Sequence, residues 1–147
     1  MPSWQPYREP VRTTLLRTGA IAVALGAMLA ARRGGIARWP AATLIALWPS
    51  LGGHFVELFF LNWLRPRLPI ARGVQIAARL LVWFIGGIML MFAMAATAQA
   101  IGELPPAQWP TWWRNCWIGG LAFIGVELIA HLFLQLRGRQ SFYNGRG

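Results

Sequence analysis

The chain of 147 residues is 56% apolar and only 12% charged, with a mean hydropathy of +0.46, a balance that excludes an ordinary soluble domain and points to lipid. Its 14 basic residues are all arginine, its four acids are all glutamate, and the formal net charge is +10. A nucleic-acid module needs its arginines gathered on one folded polar face. Here they stand in short tracts between long apolar runs, so nucleic acid is set aside as a partner.

In chain order, the first apolar run covers about Thr13 to Ala31, with Arg17 near enough to one end to reach the headgroups, and it stops at Arg32-Arg33-Gly34-Gly35. It also reads as a secretory signal, with arginines ahead of an alanine-rich stretch. Cleavage there, however, would leave a chain starting at an arginine pair with further spans to follow. The second run extends from Pro40 to Leu64, opens with Trp39-Pro40, carries Pro49 as an expected kink, and closes at Arg65-Pro66-Arg67. The third covers Val74 to Ala98, with Arg79 expected to snorkel as Arg17 does. The fourth covers Trp112 to Leu136 and ends at Arg137-Gly138-Arg139. At about 1.5 Å per residue each run crosses a hydrocarbon core of roughly 30 Å. The predicted fold is therefore an all-α, single-domain integral membrane four-helix bundle.

Arginine asymmetry sets the predicted orientation. Ten arginines, at 8, 12, 17, 65, 67, 72, 79, 137, 139 and 146, fall on the side of the termini and the middle loop, and four, at 32, 33, 38 and 114, fall on the other. The positive-inside rule then places both termini in the cytoplasm, and the short loops fit a bacterial-type inner (plasma) membrane. Trp39, Trp109, Trp112, Trp113 and Trp117 are expected as aromatic anchors at the outer interface.

The chain partly repeats itself. Trp39-Pro40 returns as Trp109-Pro110, and Val56-Glu57-Leu58 returns as Val126-Glu127-Leu128, both at an offset of 70 residues. Two copies of a helical hairpin in the same orientation would give this pattern. Chance matching in a low-diversity apolar sequence is the competing explanation.

The residues able to carry chemistry are few. Glu57 and Glu127 lie about 10 and 14 Å below the inner boundary, where ionised groups face the bundle interior, pair, or sit neutral. Each has a histidine on its own helical face, His54 at i−3 from Glu57 and His131 at i+4 from Glu127. Four readings compete for this intramembrane polar cluster. The first is structural pairing. The second is haem or metal ligation by His54 and His131, although the spacing departs from the Glu-x-x-His of di-iron bundles. The third is proton coupling through the two glutamates. The fourth is catalysis on a lipid-soluble substrate, which no nucleophile motif, phosphate loop or cysteine pair supports. Cys116 stands alone, without an internal disulfide partner.

Small residues at four-residue spacing, Ala22, Gly26 and Ala30 on the first span and Cys116 with Gly120 on the fourth, read as close helix-packing stripes. With almost no sequence outside the bilayer, the leading expectation is a non-enzymatic accessory or structural subunit. It would pack against other membrane-protein subunits, or against itself, through those stripes and the aromatic flanks. The alternatives are a proton-coupled transporter or channel using Glu57 and Glu127, and a haem- or metal-binding subunit using His54 and His131.

Overall fold

The structure, a computed structural model, describes residues 10–103 and 109–138, leaving out the side chains of Arg33 and Trp109. The predicted anchor Trp109 and the basic tail from 139 onward therefore lie outside the described side chains and residues. Among the described residues four α-helices carry the fold: α1 Val11–Arg33, α2 Trp39–Phe59, α3 Arg72–Ala100 and α4 Trp109–Leu136. All four are long and apolar enough to cross a membrane. The protein is an all-α bundle of four candidate spans, as the apolar runs predict.

The connections follow from local chemistry. Gly34 and Gly35 take φ of 134° and 93°, a left-handed turn that a residue with Cβ resists, and the Gly35 N–H bonds the Ala30 carbonyl to close α1. Pro40 then occupies the first turn of α2, where no N–H is needed. The helix continues through Pro49, which removes the intrahelical partner of the Ile45 carbonyl. The departure from α geometry comes later, in a π turn over Phe60–Leu64 followed by a 3-10 turn over Arg65–Arg67. Gly102, at φ 77°, closes α3 in the same manner as Gly34, with the Glu103 N–H reaching the Ala98 carbonyl.

Helices adjacent in sequence are adjacent in space, and packing is heaviest within the hairpins α1–α2 and α3–α4. In lipid, helices gain no hydrophobic driving force from each other and associate by close approach and polar contacts. The chain supplies both. On α1 the buried stripe runs Thr14, Thr18, Ala22, Gly26, Ala30, two residues longer than the sequence reading. A Cβ on Gly26 would fall 2.7 Å from the Thr43 Cα of α2. Between α3 and α4 the approach is backbone on backbone: a Cβ on Gly87 would fall 2.9 Å from Gly119 C and Gly120 Cα. Gly120 is buried, its added Cβ 2.5 Å from the Phe84 ring, Cys116 is half-buried, and Gly119 meets the Gly87 backbone. Leu90 fits over Gly52 and Val56 over Gly86, joining α2 to α3. Within the chain Gly26 is thus used against α2 and Gly120 against α3.

Candidate functional site

Toward the end of the bundle that carries the α2–α3 turn, three helices direct charged side chains to one point. Arg79 of α3 is the largest fully buried polar side chain, 1% exposed. Its Nε donates to Glu127 Oε1 at 2.5 Å and its Nη2 to Glu57 Oε2 at 2.6 Å, so one guanidinium holds α2 and α4 together. His131, one turn beyond Glu127, brings Nε2 to 3.1 Å from the same Oε1 and to 3.4 Å from Arg79 Nη2. The guanidinium lies over the Phe60 ring, 5.2 Å from its centroid, and 5.9 Å from that of Trp83. The π turn begins at Phe60, beneath this cation.

The two carboxylates differ in their access to solvent. The Glu127 side chain is 4% exposed, whereas that of Glu57 is 28% exposed. Arg65, just after α2, is attracted by Glu57 and repelled by Arg79. Arg79 is thus the cation between two carboxylates, Glu57 on α2 and Glu127 on α4. Opposite charges that satisfy one another are the condition for keeping ionised groups at membrane depth.

The sequence points to His54, Glu57, Glu127 and His131 as one cluster; the structure brings the last three together around Arg79, and His54 takes no part in these contacts of that cation. Arg79 does not snorkel. A signal for this existed: Arg79 stands seven residues from the start of α3 and Glu127 nine from the end of α4. Antiparallel spans put those positions level, and two acids at that depth call for a cation. His54 sits half-buried one turn before Glu57, its ring edge-on to Phe55 at 6.2 Å. Among the described residues no group of three or more His, Cys, Asp or Glu is placed to hold a metal ion. Haem ligation through His131 Nε2 would have to break its contacts with Glu127 and Arg79.

At the opposite end, Trp112 and Ile45 pack against Ala95 and Ala98, while Trp113 meets Phe92 with ring centroids 4.6 Å apart. Trp113 and Trp117 face outward. Trp39 differs from a simple interface anchor, because its Nε1 donates to the Val23 carbonyl of α1 at 3.0 Å and so ties the first hairpin. Trp48 Nε1 donates to Thr97 Oγ1 at 2.6 Å, a polar link between α2 and α3. No protein-family model, no curated protein and no solved structure matches the chain.

Proposed function

We propose that the chain is a small multi-pass protein of a bacterial-type inner membrane, with both termini in the cytoplasm. In this reading it serves as a non-enzymatic accessory or structural subunit of a larger membrane complex. The observation that carries the reading is the ion network around Arg79. It joins three spans, its charges are taken up by one another, and the layer next to it is closed by Gly52, Gly86 and Gly87 fitted against neighbouring helices. A rigid bundle of this kind holds position and binds through its outside. Taking the buried Arg79 off the topology count leaves nine arginines on the proposed inner side against four on the outer, which keeps the orientation.

Because the small-residue stripes are occupied internally, a partner would meet large side chains instead. The outward ridge of Leu44, Trp48, Phe55 and Phe59 on α2, continued by Trp63 in the π turn, has the spacing of one helix face. Purification in mild detergent from cells expressing the chain at low level tests the proposal. A stoichiometric membrane partner or a defined homo-oligomer is the expected result, and a chain that runs alone as a monomer rejects it.

A second reading, proton coupling through Glu57 and Glu127, draws on the 3.1 Å approach of His131 Nε2 to a buried carboxylate, a geometry suited to passing a proton. Glu57→Gln with Glu127→Gln and Arg79→Met, which leaves no charge of the network uncompensated, should then abolish pH-driven flux in proteoliposomes while leaving insertion intact. Unchanged flux removes this reading.

A further inference from the structure

The end of the bundle that carries the α1–α2 turn holds a partly open cavity of about 120 Å³ where all four helices meet. Its apolar walls come from every span: Ala30 of α1, Ala42 and Ile45 of α2, Met94 and Ala98 of α3, and Trp112 of α4. Its two charged lining residues are Arg38, which follows the α1–α2 turn, and Glu103, and Arg38 donates through Nη1 to Glu103 Oε2 at 3.3 Å. This pair is half-open to solvent, with side chains 54% and 30% exposed.

The dimensions restrict what can enter. An apolar cavity of roughly 150 Å³ stays dry and accepts benzene, so the space here suits a single ring and excludes a multi-ring molecule. Trp112 offers an aromatic surface and Met94 a flexible, polarisable one, both favourable against a ring. The rim selects the head group. Arg38 is a donor only and Glu103, when ionised, an acceptor only. A substituent that both accepts and donates, a hydroxyl, satisfies the two together, whereas a carboxylate would face Glu103 with like charge and a bare hydrocarbon would leave the rim unused.

We propose that this cavity is a binding site for one-ring phenols, with the ring among Ala42, Ala98, Met94 and Trp112 and the hydroxyl between Arg38 and Glu103. The site lies apart from the ion network: Ile45 and Glu57 are twelve residues apart on α2, about 18 Å along the helix. The inference does not depend on the accessory-subunit reading.

The test uses the full chain in nanodiscs, labelled at the methionine methyl groups, with 4-fluorophenol as the probe and fluorobenzene as its hydroxyl-free counterpart. Met94 lines the cavity, while Met89 is 65% exposed on the outside of α3 and reports partition into lipid. The expected result is a saturable shift of the Met94 resonance with Met89 unmoved, and fluorobenzene weaker by about tenfold, equivalent to ~1.4 kcal/mol. Ala98→Leu, which fills the cavity, should abolish the Met94 shift, and Glu103→Gln should narrow the preference for the phenol. Parallel, unsaturable shifts of Met89 and Met94 would overturn the proposal. So would equal binding of the two probes, because the rim would then have no part in recognition. The wild-type comparison of the two methionines stands even if Ala98→Leu fails to fold.

Discussion

The two ends of this bundle solve one problem in opposite ways. At the end with the α2–α3 turn an arginine and two glutamates are closed on one another, with the guanidinium almost fully buried. At the opposite end another arginine–glutamate pair stays half-exposed above an apolar gap. The same residue types therefore serve two purposes. Buried, each charge makes the other's removal costly; exposed, the pair is screened and replaceable.

That contrast is broken most severely at Arg79. Arg79→Met leaves Glu57 and Glu127 facing each other at membrane depth, and should cost about 3–5 kcal/mol in unfolding by sodium dodecyl sulfate in mixed micelles. Adding Glu57→Gln and Glu127→Gln to Arg79→Met should restore much of that stability, because the uncompensated charge is gone. If the triple variant is as unstable as the single one, charge balance is not what the cluster provides.

Next in size is the glycine layer. Gly87→Ala sets a Cβ against the Gly119 backbone, which has no flexible end to yield, and should cost about 1–3 kcal/mol in the same assay. Gly125→Ala, with nothing within 4 Å of its Cβ, should change stability little. Equal effects would show that α3 and α4 are not held by close backbone approach.

Between the two carboxylates, Glu127→Gln should destabilise more than Glu57→Gln, since Glu127 is the more buried and meets both Arg79 and His131. The reverse order, read from the same unfolding curves, would move the centre of the network to α2. The smallest effect belongs to the half-exposed pair. Arg38→Gln should cost at most about 1 kcal/mol, and high salt should shrink the difference. A cost as large as that at Arg79 would erase the distinction between the two ends.

Much of this architecture was legible in the sequence. The apolar runs lie within the observed helices, or for the second within α2 and its closing turns. The 70-residue offset corresponds to α2 and α4 starting at Trp39 and Trp109. Glu57 and Glu127, matched in that offset, meet at one cation. What escaped was the direction in which side chains point. Arg79 and Arg17 look alike in one dimension, each a few residues inside an apolar run. Gly87 and Gly119 have the composition of many membrane glycines, and nothing in their local sequence says that their backbones touch.

The sequence by itself determined the number, length and order of the spans, because crossing hydrocarbon is governed by uninterrupted apolar length and satisfied backbone, both local properties. Only the tertiary structure decided that Arg79 would turn inward to two glutamates, that the small-residue stripes would be used within the chain, and that a gap would remain beneath Arg38 and Glu103. Those outcomes depend on helix rotation and depth relative to neighbours. Rotation is set by packing between segments far apart in sequence, where no local pattern records it.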